Sequence, residues 1–430
     1  MSAVRPSQTR GSVRVPFPGR LRPAVSAPKG SLAPYALGVA VTWNISNVGG
    51  APELIAARFD VDLASVGLLT SAVFLAQVVT QIPGGRLIDR HGPRRVGLAC
   101  LLFCALGNGA ILWTPDLGWA VALRFLVGIG SGVGFVAGAT YIRLLGGAGQ
   151  AQGVYGGFSI GGGGLAIATV AWLSQYAGWR AVFASSVVVA VAAMIALLVS
   201  APTKRADPSH VALRIRPLLS SPVIWRLAAA QAATFGFSIL VSSWLVVFLV
   251  DRDGMSPSEA GIVTGLVLVG GILGRPWGGW AAQRHPERRR LTVVLSLVAA
   301  GVSLLVLVLV PGLPTAVACT AIFGFAVGVP FGPIFDTVTR AHSAGPGLAI
   351  AVMNAPAMVL IAAGTPLMGV ALSQWSRPGL AFLALGVPLL ALATLAQLGR
   401  GAAQAESTAP SSPATAGTDA GVRAADSRQP

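Results

Sequence analysis

The chain has 430 residues, of which 54% are hydrophobic and only 10% are charged, and its formal net charge is +16. A water-soluble domain carries roughly 25% charged residues, so this composition excludes an ordinary soluble fold and predicts that lipid surrounds most of the chain. The excess of positive charge on its own would be typical of a nucleic-acid-binding protein, and only its distribution along the chain can test that interpretation.

The first 31 residues form a polar tail that contains six Lys and Arg residues and no acid. This tail has no apolar run of the kind that a secretory signal peptide needs, so we expect a disordered segment on the cytoplasmic side. Residues 399–430 are rich in Ala, Ser, Thr and Pro. Their low hydrophobicity also predicts disorder.

Between the two tails lie twelve apolar segments of about 18–25 residues, each long enough to cross the hydrocarbon core of a bilayer. We predict spans near residues 34–52, 64–83, 96–114, 119–142, 153–173, 181–200, 227–250, 260–283, 291–310, 315–339, 348–372 and 379–398. Residues 32–200 would form an N-terminal half of six helices and residues 227–398 a C-terminal half. A cytoplasmic linker, residues 201–226, would join them.

The positions of Lys and Arg predict the orientation of these spans. If both termini are cytoplasmic, the cytoplasmic segments contain 24 of the 30 cations and the opposite side contains four, with Arg124 and Arg275 left inside spans. Such an asymmetry follows the positive-inside rule. The positive charge is therefore explained by the membrane topology, and we expect no nucleic-acid partner. We expect a multi-pass protein of a bacterial inner membrane that acts as a monomer.

Two loops at equivalent places in the halves have similar sequences. The segment that begins at Gly84-Gly85 after the second span aligns with the one that begins at Gly278-Gly279 after the eighth span, at a shift of 194 residues. Two such halves in the same orientation predict a pseudo-twofold axis along the membrane normal. In transporters with this architecture the substrate site lies between the repeats near the midplane.

The first of these loops also carries a family resemblance. The pattern Gly85-x-Leu87-x-Asp89-Arg90-x-Gly92-x-Arg94 resembles the signature between helices 2 and 3 of the major facilitator superfamily, and Arg124-x-x-x-Gly128-x-Gly130 resembles a second signature of that family. The resemblance covers about residues 32–398. It implies an all-α membrane fold of two six-helix halves, a small-molecule substrate and no cofactor or resident metal.

The same resemblance implies a conformational latch formed by Gly85, Asp89, Arg90, Gly92 and Arg94. Physically, Asp89 could accept hydrogen bonds at the N-terminus of a neighbouring helix and pair with an Arg. The alternative is that the arginines of this loop only determine topology. In the second half, Gln283 replaces the acid, so we expect any latch there to be weaker.

Charged residues inside spans are candidates for transport or coupling because their burial in a membrane is costly. These candidates are Arg124 and Arg275, with Asp336 near the end of its span, where Arg340 one turn later is a predicted ion-pair partner. Gly128 and Gly130 belong to the same signature as Arg124. The alternative for Arg124 is that its side chain snorkels to the outer interface between membrane and water. No Asp, Glu or His lies at a midplane position, so we expect a cavity of non-negative potential.

Polar and aromatic residues inside the spans supply a second group of candidates. Trp43 in the first span and Trp244 in the seventh occupy comparable places in the two halves, and helices 1 and 7 line the cavity in the related family. We therefore expect the substrate cavity to include Trp43, Asn44, Asn47, Gln77, Trp244 and Asn354, with Gln81 and Gln231 as further candidates.

Transport is the function that these features favour. We predict a secondary active transporter that works by alternating access on a small neutral or anionic organic molecule, with proton-coupled export as one form and import of a small anion as the alternative. An intramembrane enzyme would need a nucleophile, metal cluster or paired carboxylates at depth, and the spans contain none of these. A sensor without transport activity would be expected to carry a sizeable soluble domain.

Overall fold

A computed structural model describes residues 32–200, 215–374 and 378–397. The predicted tails, and most of the predicted linker, lie outside the described residues. Within the described ranges every regular element is a helix and no strand occurs. Ten stretches are long and apolar enough to cross a membrane. The first and last predicted spans coincide with two further helices, of 15 and 20 residues.

The N-terminal half consists of seven helices. They are α1 (Leu32–Ser46), α2 (Pro52–Phe59), α3 (Leu63–His91), α4 (Pro93–Ile111), α5 (Leu117–Leu144), α6 (Gly149–Ala177) and α7 (Arg180–Val199). A single 3₁₀ turn, Asn47–Gly50, follows α1. The α-helical part of the first predicted span therefore ends at Ser46, and the sequence Asn-Val-Gly-Gly follows it.

The C-terminal half contains α8 (Ile215–Leu219), α9 (Pro222–Gln231), α10 (Phe237–Asp253), α11 (Pro257–Arg284), α12 (Arg289–Leu309), α13 (Leu313–Gly328), α14 (Phe331–Ala341), α15 (Pro346–Gln374) and α16 (Pro378–Gln397). A π-helical turn, Ala232–Gly236, joins α9 to α10. The seventh span therefore begins at Pro222 instead of residue 227, because a proline fits the first turn of a helix, where its missing N–H has no partner to lose.

Several helix boundaries follow from local capping chemistry. Asp62 and Asp116 each accept a hydrogen bond from a backbone N–H in the first turn of α3 and α5. Ser256 and Glu259 form a reciprocal capping box at the start of α11. Gly92 separates α3 from α4 with a φ of 84°, a conformation that favours glycine because it has no Cβ.

The helices assemble into two halves that contact each other mainly at one end. We call this the linker end, defined by the last residues of α3 (His91), α7 (Val199) and α11 (Arg284), and we call the opposite end the open end. A large buried cluster at the linker end combines residues of both halves, and there Phe135 of α5 makes edge contacts with Phe331 and Phe335 of α14. The two other large clusters each stay within one half.

Candidate functional site

A cavity of about 500 Å³ lies between the two halves. Its wall includes Arg275 deep in α11 and Gly261 near the start of that helix. At 1.5 Å per residue these positions are about 21 Å apart along the helix axis. Because the halves are packed together at the linker end, the cavity runs from that seal toward the open end.

The cavity wall combines apolar surface with polar side chains that are almost all uncharged. The polar lining residues are Thr42, Ser46, Gln77, Gln81, Ser131, Ser159, Ser242, Ser243, Thr264, Arg275 and Asn354. No Asp, Glu or His is among the described residues that line it. Arg275 is the one cation among these described lining residues.

Arg275 is 5% exposed, and its position depends on the other half. Its Nη1 donates a 2.6 Å hydrogen bond to the carbonyl oxygen of Gly156 in α6, and its guanidinium lies 4.5 Å from the ring centroid of Phe331. No carboxylate of the described residues lies within salt-bridge distance of it. A guanidinium has five N–H donors, so this residue retains both charge and hydrogen-bonding capacity for a ligand.

Glycines in α6 make the close approach of α11 geometrically feasible. A Cβ on Gly156 would lie 2.9 Å from Cδ of Arg275 and still closer to the Phe331 ring, and one on Gly153 would collide with the carbonyl group of Arg275. The glycine-rich stretch of the fifth span is therefore a packing surface for the opposite half. Small residues serve this purpose in membrane helices generally.

Arg124 is placed differently from the sequence-based expectation. It is fully buried, and it donates to the carbonyl oxygens of Asn44 (2.8 Å), Ile45 (3.2 Å) and Leu69 (3.3 Å). It is not among the residues that line the cavity. The first two acceptors lie in the last turn of α1, where carbonyl groups have no intrahelical partner. Arg124 therefore caps the end of α1, and it neither snorkels to the interface nor faces the cavity.

We expect Arg124→Gln to destabilise the protein by roughly 2 kcal/mol, because it leaves buried carbonyl oxygens without donors. The measurement is thermal unfolding of the purified protein in detergent. Arg124→Lys should recover only part of the loss, since an ammonium group cannot reproduce the planar fork. A variant with unchanged thermal stability but lost substrate binding would contradict the structural assignment.

Four of the six residues expected in the cavity are absent from its wall. Trp43 packs inside the N-terminal half and donates to Ser185, and Trp244 packs against the core of the C-terminal half. Asn44 and Asn47 are fully buried in a polar network with Asn108. All four side chains make their contacts within their own half and lie outside the described cavity wall.

The other two expected residues do line the cavity. Gln77 donates to Ser131 of α5, and Asn354 of α15 accepts from Gln231. Of the two further candidates, Gln81 lines the cavity whereas Gln231 does not. Residues of α6 that the sequence reasoning did not select, such as Ser159 and Gly163, also form part of the wall.

The Asp89 carboxylate connects the two halves at the linker end. Its two oxygens accept hydrogen bonds of 2.8 Å from the backbone N–H groups of Gly347 and Leu348, in the first turn of α15. Gly85 permits this approach, since a Cβ there would lie 2.7 Å from that of Ala351. Asp89 thus caps a helix N-terminus, as expected, but it forms no ion pair with an Arg of the described residues.

The other residues of this loop have separate roles. Arg94 donates to the carbonyl oxygens of Leu197 and Leu198 in the last turn of α7, which is a favourable place for a cation. Arg90 is exposed. Gly92 forms the turn between α3 and α4.

Gln283 makes the corresponding contact in the second half. With its amide oxygen oriented toward α6, it accepts from the N–H groups of Gly149 (3.0 Å) and Gln150 (3.1 Å) at the start of that helix. Each repeat therefore places an acceptor on the N-terminus of a helix in the opposite half. The acceptor is charged in one repeat and neutral in the other.

The remaining candidates have structural surroundings. Asp336 is 5% exposed and pairs with Arg340 at 2.9 Å, as predicted, and also with Arg289 at 3.8 Å. A Cβ on Gly128 would lie 2.7 Å from that of Ala76, and one on Gly130 would lie 3.0 Å from Sγ of Cys104. These two glycines therefore allow α5 to pack closely on α3 and α4.

Comparison with known proteins agrees with this architecture. The sequence profile of the Major Facilitator Superfamily matches residues 33–355 and 254–424. Over 314 residues (69% of this chain and 76% of the relative) the chain is 27% identical to the "Probable nitrate/nitrite transporter NarK2" of Mycobacterium tuberculosis. It is 26% identical over 299 residues (67% and 73%) to the nitrite extrusion protein of Bacillus subtilis.

Among solved structures, the fucose:proton symporter FucP of E. coli has the same fold. The TM-score is 0.67 at 15% sequence identity, and the match covers 86% of this chain and 99% of that one. At this identity the likeness concerns the fold alone. The profile match over both halves identifies a membrane transporter and not an enzyme. The chain belongs to the Major Facilitator Superfamily.

Proposed function

We propose that this protein transports a small anion through the cavity between its halves by alternating access. The observation that carries the proposal is Arg275, a buried cation that lines the cavity and has no carboxylate partner within the described residues. Burying a cation without a counter-charge is costly, and a bound anion would offset that cost. A cationic substrate would find no counter-charge among the described residues of this wall.

The relatives support the same class of substrate. NarK2 of M. tuberculosis and the nitrite extrusion protein of B. subtilis are named for nitrate and nitrite, which are small anions. A neutral organic substrate was an equal expectation from the sequence, and the placement of Arg275 favours the anion. Transport in either direction, export or import, would use this cavity.

The change of conformation in alternating access would break the contacts at the linker end. In this conformation Asp89 and Gln283 hold the N-termini of α15 and α6, and the cavity extends toward the open end. The proposed second conformation separates these contacts and closes the open end. Proton coupling, if present, would use an edge residue such as Glu53, Asp89 or Asp336, or the substrate's own titrating group, because the described cavity wall contains no acid or histidine.

The test is counterflow in proteoliposomes that contain the purified protein. Vesicles loaded with unlabelled nitrate should accumulate labelled nitrite or nitrate, and vesicles loaded with a neutral sugar or with tetraphenylphosphonium should not. Imposing a pH gradient in either direction then distinguishes proton-coupled export from import and from anion exchange. Robust gradient-driven transport of a quaternary ammonium compound would overturn the proposal.

Orientation in the membrane gives a separate prediction. We propose that the linker end is cytoplasmic, because the loops there contain most of the Lys and Arg residues. A single cysteine in the α10–α11 loop, at Ser256, should react with a membrane-impermeant maleimide added to whole cells, and one at position 210 should react only after lysis. Reaction at position 210 in intact cells, without reaction at Ser256, would invert the topology.

A further inference from the structure

The two halves contact each other along two pairs of helices. Helix α3 packs against α15, and α6 packs against α11. The cavity wall includes Phe74 of α3 and Met358 of α15 from the first pair, and Ser159 of α6 and Arg275 of α11 from the second pair. The cavity therefore lies between the two pairs, with its cation on the α6–α11 side.

The α3–α15 side of the cavity carries an apolar surface. Phe74 and Met358 lie there with Phe235 of the π-helical turn and Ile239 of α10, and all four belong to one hydrophobic cluster that joins the two halves. We call these four residues the apolar wall. None of the four side chains has a hydrogen-bond donor, so the apolar wall cannot bind the charged group of an anion.

The apolar wall is incompletely covered by protein. Phe74, Phe235 and Ile239 are only partly buried, whereas Ala357 and Ile361 of the same cluster are buried and do not line the cavity. Side chains that served only to pack the halves together would be covered like the last two. Removing apolar surface from water is favourable in proportion to its area, so an apolar group bound against this wall would be stabilised.

The volume of the cavity favours a ligand larger than an inorganic oxyanion. Water occupies about 30 Å³ per molecule in the liquid, so an ion the size of nitrate would leave most of the cavity of about 500 Å³ to water. Pockets of about 300–1,000 Å³ with mostly apolar walls and a few polar groups ordinarily bind organic molecules. A molecule with one anionic end and an apolar body would match the cation on one side and the apolar wall on the other.

We propose that the apolar wall is a subsite for the apolar body of the substrate, and that the preferred substrates are organic anions. The anionic group lies toward Arg275, and the apolar body lies against Phe74, Phe235, Ile239 and Met358. This inference rests on the proposed transport of anions. It goes beyond it by assigning the apolar subsite and the chemical class of the substrate. An inorganic anion makes no use of this wall and therefore binds more weakly.

Alkanesulfonates test the subsite because they share one permanently charged group and differ in chain length. Methanesulfonate, butanesulfonate and hexanesulfonate are titrated into the purified full-length protein in detergent, and affinity is read from thermal stabilisation. Each buried methylene should raise the affinity roughly threefold, so hexanesulfonate should bind more than about tenfold more tightly than methanesulfonate. The neutral 1-hexanol should bind more weakly than hexanesulfonate, and Arg275→Gln should weaken hexanesulfonate binding about tenfold or more.

Two substitutions in the apolar wall should reduce the preference for long chains. Phe74→Ala removes apolar contact from α3, and Ile239→Asn makes one position of α10 polar. Either should weaken hexanesulfonate binding about fivefold or more and leave methanesulfonate binding nearly unchanged. The control Phe103→Ala removes the same side chain as Phe74→Ala, from an exposed position of α4 outside the described cavity wall. Both affinities should be unchanged in this control.

The outcomes separate this inference from the proposed function. If methanesulfonate and nitrate bind in an Arg275-dependent manner but affinity does not rise with chain length, the inference is wrong and anion transport stands. The inference is also wrong if affinity rises with chain length and neither substitution in the apolar wall reduces that rise. Should Phe74→Ala fail to fold, an unchanged preference in Ile239→Asn would still overturn the subsite.

Two further outcomes concern the anion itself. If 1-hexanol binds as tightly as hexanesulfonate and Arg275→Gln weakens neither, the proposed function and the assignment of organic anions are wrong, and only the apolar subsite stands. If neither nitrate nor any alkanesulfonate stabilises the wild-type protein, both proposals are wrong.

Discussion

Replacing Arg275 with Gln is expected to weaken anion binding by about 10- to 100-fold and to reduce counterflow in proportion. A hydrogen bond to a charged group contributes about 1.5–3 kcal/mol, and each 1.4 kcal/mol corresponds to a factor of ten in affinity. The substitution removes the one cation of the described cavity wall. Affinity is measured by anion titration of the purified protein, and flux is measured at matched amounts of reconstituted protein.

The conservative variant and a matched control make this result specific. Arg275→Lys keeps the charge but loses the planar fork, so its affinity should fall between those of the wild type and of Arg275→Gln. Arg284→Gln removes the same charge from an exposed position at the end of the same helix, and its binding should equal that of the wild type. Equal anion affinity in Arg275→Gln and wild-type protein would remove the basis of the proposed function.

Asp89→Asn is expected to reduce transport severely while leaving insertion and folding largely intact, and Gln283→Ala should have a mild effect. The Asp89 carboxylate accepts two N–H hydrogen bonds from α15 and places a negative charge at its N-terminus, whereas Gln283 offers only a neutral oxygen to α6. A charge at a helix N-terminus contributes about 0.3–1 kcal/mol beyond hydrogen bonding. Such a difference is enough to change the populations of two conformations several-fold.

Flux at matched membrane abundance measures the functional loss. The conformational cause is tested with a cysteine at Gly261 near the open end, where a Cβ would meet no atom within 4 Å. Reaction of this cysteine with an impermeant maleimide should slow in Asp89→Asn, because the conformation sealed at the linker end becomes less populated. Protein without the introduced cysteine serves as the blank, since Cys100, Cys104 and Cys319 are buried. Equal losses in flux from both substitutions would contradict a one-sided latch.

Hydropathy alone was sufficient to locate the long apolar helices, for a reason particular to membranes. A segment in lipid must satisfy its own backbone hydrogen bonds, so an apolar run of sufficient length is a helix whatever lies beside it. The predicted segments accordingly coincide with helices of the structure, apart from details such as the start of α9 at Pro222 and the end of α1 at Ser46. The repeat and the family resemblance were likewise visible in the order of residues.

The type of contact that Asp89 makes could be predicted, because a lone acid in a basic loop needs N–H donors and a helix N-terminus is a common source of them. Which helix supplies them depends on packing between halves, since Gly347 lies more than 250 residues away. The contact of Gln283 with α6 was predicted only as a weaker form of the same arrangement. Its pairing with Gly149 and Gln150 emerged from the tertiary structure.

Arg124 and Arg275 show what only the tertiary structure decided. Each is a single cation within an apolar span, so composition and burial cost assign them the same expectation. The carbonyl groups of Asn44 and Ile45 at the end of α1 satisfy Arg124, whereas Arg275 bonds one carbonyl and borders the cavity. The sequence thus determined which groups would be costly to bury in lipid. The rotation and packing of the helices decided whether each arginine would bond the carbonyl end of a helix or border the cavity.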